Sequence, residues 1–238
     1  MRKFAKRIKW KKVISIFVLV TLILSMGYAI LQIVIAEPGA VPSKSYNKMK
    51  SDYVLILLQC LLGIFCIFMP SMLERRFKLI IPNMMYLFFI IFLYAAIYLG
   101  EVRSFYYTVP YWDTILHTFS GAMLGALGFS VVRLLNDTHK ISVDLSPLFV
   151  AFFALTFAVF MGVIWEIYEY TFDGIFGLNM QKFAIEQGDA LVGRAALSDT
   201  MLDLIVDTIG AAVMSTIGYI SLKEKKNWLE KLSVFKSE

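Results

Sequence analysis

The chain has 238 residues, of which 59% are hydrophobic and 17% are charged, and its mean hydropathy is +0.70. A soluble domain of this size cannot bury so much apolar surface, so the composition excludes an ordinary soluble enzyme and predicts an integral membrane protein. The net charge of +5 would suggest nucleic-acid binding in a soluble protein. In a membrane protein it is explained by basic residues that flank the bilayer, and no nucleic-acid partner is predicted.

Six apolar segments are long enough to cross the hydrocarbon core, which takes about 20 helical residues. They are residues 13–36, 53–70, 79–100, 114–135, 147–171 and 200–222. The first apolar run is longer than the ~7–15 residues of a signal peptide, so we expect it to be retained as an anchor. The predicted fold is all-α, a polytopic bundle of about six transmembrane helices in a lipid bilayer.

The distribution of lysine and arginine predicts the orientation. If the N-terminus is inside, the inner segments carry 17 basic residues and the outer segments carry 6, which favours cytoplasmic placement of both termini. The outer connection between the fifth and sixth spans is long, and a loop of this length is more often functional than a bare tether. It is predicted to fold over the outer face. The predicted parts are a basic cytoplasmic tail at 1–12, helices 1–3 at 13–100, helices 4–6 at 101–222 with an outer loop at 173–198, and a cytoplasmic tail at 223–238.

Acidic residues concentrate near the outer ends of the last three spans. Spans 4 and 6 run inward and span 5 runs outward, so this topology brings three separate sequence clusters to one membrane level. An ionised aspartate costs about 2.5–3.5 kcal/mol near the bilayer centre, so several such groups at one level indicate a shared polar cavity. The acids of these clusters are Asp113, Glu166, Glu169, Asp173, Asp199, Asp203 and Asp207.

Helical spacing supports convergence of these groups. In span 4 a histidine and two glycines follow the first aspartate at intervals of four, and in span 6 three aspartates recur at the same interval, which places each set on one helical stripe. Small residues below the acids let membrane helices approach closely. The predicted packing residues are Gly121, Gly125, Gly162 and Gly210. The candidate catalytic residues are His117, Glu166, Asp203 and Asp207, and the candidate metal ligands are these four with Asp113 and Glu169.

The polar residues of these spans also have explanations that require no functional site. Asp113 and Asp199 each precede a threonine where a helix starts, which is typical of an N-cap. Glu169 and Asp173 would be ordinary solvated side chains at the membrane surface. A buried hydrogen-bonded network would pin the helices together, with Arg103 or Arg194 as counter-charge. On the cytoplasmic side, His139 is interpreted as a solvated loop residue.

The types of ligand atom in this cluster indicate which metal ions it could bind. Carboxylates with one histidine suit Mg²⁺, Mn²⁺ or Ca²⁺, or Zn²⁺ if the histidine is the leading ligand. Such an ion would support a metal-assisted hydrolase or transferase acting on a lipid or envelope-precursor headgroup at the outer leaflet. The alternatives are a cation- or proton-coupled carrier and a non-catalytic membrane or envelope-stress protein. The carrier ranks lower because the inner halves of spans 4–6 show almost no polar path.

The motifs "YWDTILHTFSGAMLGALGF", "GVIWEIYEY" and "DTMLDLIVDTIGA" resemble those of the YjdF-like family of uncharacterised bacterial multi-pass membrane proteins. This resemblance covers residues 110–215 and implies a bacterial cytoplasmic-membrane location. A fainter resemblance is to VanZ-like proteins, which are associated with glycopeptide resistance. Their pattern has counterparts in Asp113 and His117, in Glu166 and Glu169, and in Asp203, Asp207 and Gly210. Glu169 stands for glutamine and Asp207 for asparagine, and both departures add negative charge. Neither family implies a particular reaction.

Overall fold

A computed structural model of the chain describes residues 2–35, 48–136, 144–184 and 189–236, with side chains described from residue 10 onward. His139, interpreted above as a solvated loop residue, lies outside these ranges. The helices are α1 (Arg2–Ile35), α2 (Lys50–Phe77), α3 (Asn83–Leu93), α4 (Phe105–Thr108), α5 (Trp112–Asn136), α6 (Pro147–Phe176) and α7 (Arg194–Lys223). A π-helical segment, Tyr94–Val102, continues α3, and a two-stranded antiparallel sheet pairs β1 (Leu79–Ile80) with β2 (Phe235–Lys236).

Six helical segments of the described residues are long and apolar enough to cross a membrane, which confirms the predicted all-α, multi-pass fold. They are Trp10–Ile35, Lys50–Phe77, Asn83–Val102, Trp112–Asn136, Pro147–Phe176 and Arg194–Lys223. α2 continues seven residues past Pro70, where the sequence predicted its end. A proline removes one backbone donor but is tolerated in a membrane helix when neighbouring groups satisfy the freed carbonyl.

The N-cap interpretation of two aspartates is wrong. Asp113 lies inside the first turn of α5, after Trp112, and α7 begins at Arg194, five residues before Asp199. The segment "RAALS" is too polar to be counted in an apolar span, but its alanines and leucine are good helix formers and extend the helix outward. The outer loop is correspondingly shorter than predicted, because α6 also continues to Phe176.

The chain divides into two compact units, and unit 1 comprises Met1–Phe68, Ile90–Asp113 and Trp165–Met201. Its apolar core joins α2 to the loop after α6 through Leu55, Leu178 and Met180. Gly63 of α2 packs directly against Leu22 and Ile97, where a Cβ atom would overlap both side chains. The described part of the outer loop therefore packs on α2 within this unit.

Unit 2 comprises Met69–Phe89, Thr114–Ile164 and Leu202–Glu238. Its core cluster joins α5, α6 and the C-terminal segment through Phe129, Val132, Val150, Ala151, Ala154 and Leu229. The chain after α7 is tied down by two sets of hydrogen bonds. The backbone N–H of Val234 donates to Ser130 Oγ at 3.0 Å, and β2 pairs with β1.

Candidate functional site

α5 and α7 approach each other so closely in unit 2 that glycine is required at the crossing. A Cβ atom added at Gly121 would overlap the backbone carbonyl of Asp207, and one at Gly210 would overlap the carbonyl of Thr118. One turn further along, a Cβ at Gly125 would lie 3.2 Å from Met214 Cβ. Because small residues let the two backbones meet, polar side chains one turn before the crossing are brought within reach of each other.

His117 of α5 lies between two aspartates of α7. Its Nδ1 is 3.3 Å from Asp207 Oδ2, and its Nε2 is 3.8 Å from Asp203 Oδ2. Both aspartates are 4% exposed, and the histidine side chain is 11% exposed. Two carboxylates one helical turn apart therefore lie next to the two different nitrogens of one imidazole ring.

Asp207 is held in place by further contacts. Ser120 Oγ donates to Asp207 Oδ1 at 2.9 Å, so both carboxylate oxygens of Asp207 have a neighbour on α5. Gly162 of α6 leaves room on the other side, since a Cβ there would come within 2.9 Å of Asp207 Oδ2. This aspartate is thus oriented by the helices around it.

Asp203 differs from Asp207 in its relation to the histidine. The 3.3 Å contact of Asp207 with Nδ1 is within hydrogen-bond reach, whereas the 3.8 Å separation of Asp203 from Nε2 is too long for a hydrogen bond, which a side-chain pair no longer forms at about 3.6 Å. It matches instead the separation of about 3–4 Å expected for two ligands that each lie about 2.0–2.2 Å from one metal ion. Within α5, Asp113 precedes His117 by one helical turn. The donor set of imidazole and carboxylates fits a divalent transition metal or zinc.

A second polar cluster, in unit 1, surrounds Lys182 of the outer loop. Burial lowers the pKa of this lysine, but the carboxylates of Asp113, Glu101 and Glu169 outweigh burial and hold its pKa well above the ordinary value. The ammonium group also lies 4.6 Å from the centre of the Tyr106 ring. That ring packs on Gly100 so tightly that a Cβ there would overlap it. The loop thus supplies a cation to acids from three helical segments.

Asp173 positions this lysine. Its Oδ1 accepts the backbone N–H of Met180 at 2.8 Å, and its Oδ2 accepts the N–H of Gln181 at 3.0 Å. These bonds fold the chain after α6 into a turn that ends at Lys182. Asp173 is 7% exposed and Glu169 is 8% exposed. The alternative that both are solvated surface groups is therefore wrong.

The predicted site residues occur in both units. The structure brings together His117, Asp203 and Asp207 in unit 2, while Glu166 is buried at 5% exposure in the unit 1 part of α6. The predicted counter-charges Arg103 and Arg194 have exposed side chains. The cation next to the unit 1 acids is instead Lys182, which the sequence analysis missed.

Three contributing residues carried only weak sequence signals. Lys182 is one basic residue in a mixed loop, and Glu101 lies at the very end of an apolar span. Ser120 follows the histidine by three residues, a spacing that places both on one helical face. That spacing could have drawn attention to Ser120, whereas nothing local connects Lys182 with Glu101.

Comparison with known proteins identifies the family to which this chain belongs. Residues 45–224 match the model of the family described as "Predicted membrane protein (DUF2238)". An uncharacterized protein of Thermotoga maritima is 32% identical over 130 residues, which are 54% of this chain and 57% of that protein. The chain therefore spans little more than half the length of this relative. No solved structure matches the chain. The family match covers all but the first of the six apolar helices and most of the site residues described above. It confirms the resemblance to the YjdF-like family. The chain belongs to the DUF2238 family of predicted membrane proteins.

Proposed function

We propose that this protein binds a divalent metal ion between α5 and α7, and that the metal serves hydrolase or transferase chemistry on a phosphate-bearing headgroup. The observation that carries the proposal is the placement of the His117 ring between Asp203 and Asp207. His117 Nε2 and Asp203 supply the first two ligands. Asp113, one turn before His117 on the same helix, is the predicted third ligand.

Asp207 has a different role in this proposal. When Nδ1 carries the imidazole proton, it donates to Asp207, which leaves the Nε2 lone pair directed toward Asp203. A carboxylate behind a metal-binding histidine fixes the tautomer and makes the ring a stronger ligand. The Ser120 hydroxyl donates to the other oxygen of Asp207 and so keeps it in position. Asp207 is thus a positioning residue.

A bound ion would supply Lewis acidity toward a phosphoryl oxygen and would lower the pKa of a coordinated water. The protein's own contribution is to hold His117 and Asp203 at largely buried positions next to the close α5–α7 crossing. The lysine and arginine distribution predicts that this end of the helices is extracytoplasmic. A lipid or envelope-precursor headgroup at the outer leaflet of a bacterial cytoplasmic membrane is therefore the proposed substrate class.

Metal content tests this proposal directly. The purified protein is loaded with Zn²⁺ or Mn²⁺, desalted and measured by elemental mass spectrometry. We expect about one ion per chain in the wild type, none in Asp203→Asn, and an affinity about 10–100-fold weaker in Asp207→Asn. Asp144→Asn is the matched control, because Asp144 is an exposed aspartate away from the cluster.

Two results would contradict the proposal. One is a wild type that retains no divalent ion after loading; the other is an Asp203→Asn protein that retains as much metal as the wild type. If metal is absent and neutralising variants only lower the yield of folded protein, the cluster is a structural network. If metal is absent and the wild type moves protons in liposomes while Asp203→Asn does not, the carrier alternative replaces the enzyme.

A further inference from the structure

One end of unit 2 carries a dense group of basic side chains. Two segments contribute to it: the end of α2 with β1, and the chain from the end of α7 to β2. Residues 74–80 and 223–236 contain eight arginines and lysines, all of them exposed, and three acids. These eight arginines and lysines are called the basic patch below. None of them belongs to the proposed metal site.

The fold holds the two segments of the basic patch together. β1 and β2 pair in a register that places Lys236 opposite Leu79, so the end of the chain lies beside the end of α2. The stretch between α7 and β2 is also fixed, because Leu229 belongs to the core of unit 2 and Ser221 Oγ donates to the carbonyl of Lys226 at 2.6 Å. The C-terminal charges are therefore held at defined positions next to those of α2.

The acids in these two segments do not balance the basic patch. Glu74 is engaged in the fold, since its Oε1 accepts the backbone N–H of Ile81 at 3.0 Å. Glu224 pairs with Lys226, and Glu230 is the third acid. Like charges that the fold holds together repel one another. A surface that carries negative charge would relieve this repulsion.

Exposed aromatic rings lie among these charges. Trp228 is 50% exposed and Phe77 is 58% exposed. The Lys226 ammonium lies 4.7 Å from the centre of the Trp228 ring, and the Arg76 guanidinium lies 6.0 Å from that of Phe77. Tryptophan and basic residues together are typical of the headgroup region of a bilayer. Phe77 ends one spanning helix and Trp228 lies five residues after another, so the membrane surface is the partner that these rings fit.

Two lysines of the basic patch have a left-handed backbone conformation. Lys78 follows α2 with φ 52°, and Lys225 follows α7 with φ 52°. The N–H of Lys226 donates to the Ser221 carbonyl at 2.7 Å and that of Lys225 to the Leu222 carbonyl at 3.2 Å, which is the pattern of a Schellman C-cap. Glycine is the usual residue at such a position because it has no side chain to strain the backbone. Both positions therefore keep a charge where glycine would suit the backbone better.

We propose that the basic patch binds the headgroups of anionic phospholipids, such as phosphatidylglycerol, in the leaflet next to it. The excess of exposed positive charge and the exposed rings at the ends of spanning helices support this partner. Basic residues near helix ends orient a chain without any folded segment. Here the C-terminal segment is also packed against unit 2, which concentrates charges from two parts of the chain. The lysine and arginine distribution predicts that this leaflet is the cytoplasmic one.

Native mass spectrometry of the delipidated, detergent-purified protein tests the preference for charge. Phosphatidylglycerol is titrated in parallel with zwitterionic phosphatidylcholine that has the same acyl chains. We expect phosphatidylglycerol to bind about fivefold more tightly or better. The preference should shrink when ammonium acetate is raised from about 0.05 M to about 0.5 M, because salt screens exposed charges. The protein is treated with EDTA beforehand, so the result does not depend on the proposed metal site.

Paired variants locate the binding. Lys225→Gln combined with Lys231→Gln should weaken phosphatidylglycerol binding about tenfold, since each basic residue near an anionic surface adds to the attraction. The matched control, Lys9→Gln combined with Lys12→Gln, removes the same charge from the basic N-terminal segment. It should bind phosphatidylglycerol like the wild type.

Lys225→Gly separates lipid binding from folding. It removes one charge but places glycine at the left-handed C-cap of α7. We therefore expect a melting temperature equal to or above that of the wild type, together with about fivefold weaker phosphatidylglycerol binding. The proposal is overturned if phosphatidylglycerol binds no more tightly than phosphatidylcholine, or if the patch variants keep wild-type affinity. It is also overturned if the control pair lowers the affinity as much as the patch pair.

Discussion

At the scale of single residues, the two aspartates of α7 that flank His117 have unequal roles. Asp207 is within hydrogen-bond reach of Nδ1 and is also held by Ser120, whereas Asp203 lies beyond hydrogen-bond reach of Nε2. The hydroxyl of Ser120 holds Asp207 against the ring, so the two aspartates stand at different distances from the histidine. This difference is the physical basis for assigning one to the metal and the other to the ring.

Lys182 is the cation whose charge acts on the acids of unit 1. Replacing it with methionine leaves Glu101, Asp113 and Glu169 without this nearby positive charge, and a buried polar group that loses its partner costs about 1–3 kcal/mol. We expect Lys182→Met to lower the free energy of unfolding within this range, and Lys231→Met, at an exposed lysine, to leave it unchanged. Denaturation of the two purified variants, followed by circular dichroism, measures the difference.

The sign of the pH dependence follows from the raised pKa of Lys182. A lysine whose folded-state pKa is raised contributes stability that is fully present below its ordinary value of 10.5 and is lost as the pH rises through the folded-state pKa. The gap between wild type and Lys182→Met should therefore persist at pH 8 and close only under strongly alkaline conditions. Partial recovery in Lys182→Met with Glu101→Gln would confirm the pairing, and two strictly additive changes would contradict it.

At the scale of elements, the α5–α7 crossing makes the site possible. Gly121 and Gly210 face the backbone of the opposite helix, so the crossing depends on the absence of two side chains. The π-helical segment has a comparable role in unit 1, because it carries Glu101 next to Lys182. Such segments are frequent at functional sites.

Adding one methyl group at the crossing should separate the helices. Gly121→Ala places a Cβ against the carbonyl of Asp207, so we expect lower stability and weaker metal binding together. Gly174→Ala is the matched control, because it lies in a helix where a Cβ meets nothing within 4 Å. That change should be neutral or stabilising by up to about 1 kcal/mol. Thermal unfolding and metal titration of both variants test this, and equal behaviour of the two would contradict the close crossing.

At the scale of the whole molecule, hydropathy and charge distribution predict how the chain lies in the membrane. The six apolar helices follow from composition, while the orientation rests on the excess of lysine and arginine in the inner segments. The proposed headgroup chemistry requires the outer ends of α5–α7 to be extracytoplasmic. Orientation is therefore the first property of the whole molecule to measure.

Cysteine accessibility tests the orientation in intact cells. In a chain with Cys60→Ser and Cys66→Ser, single cysteines are introduced by Ser198→Cys near the start of α7 and Lys225→Cys after its end. A membrane-impermeant maleimide should label the first variant and not the second until the cells are opened. The reverse pattern would place the site on the cytoplasmic side and remove the outer-leaflet substrate class.

The sequence by itself determined the class of protein, the number of spans and the three acidic motifs, because hydropathy and helical periodicity are local properties. It also predicted that His117 and Asp203 lie near the same depth in the membrane, since both lie within a few turns of a helix start. It missed the extended ends of α2, α6 and α7, where helix propensity continues beyond the apolar stretch.

Only the tertiary structure decided which polar groups are partners. His117 pairs with Asp203 and Asp207 because glycines let α5 and α7 touch, and Lys182 meets Glu101 and Glu169 because the turn held by Asp173 brings the loop back. Both arrangements join residues about 80 or more positions apart or separated by a loop, and local patterns do not encode such pairings. The sequence predicts one cluster of seven acids, whereas the structure shows which of them face His117 and which face Lys182.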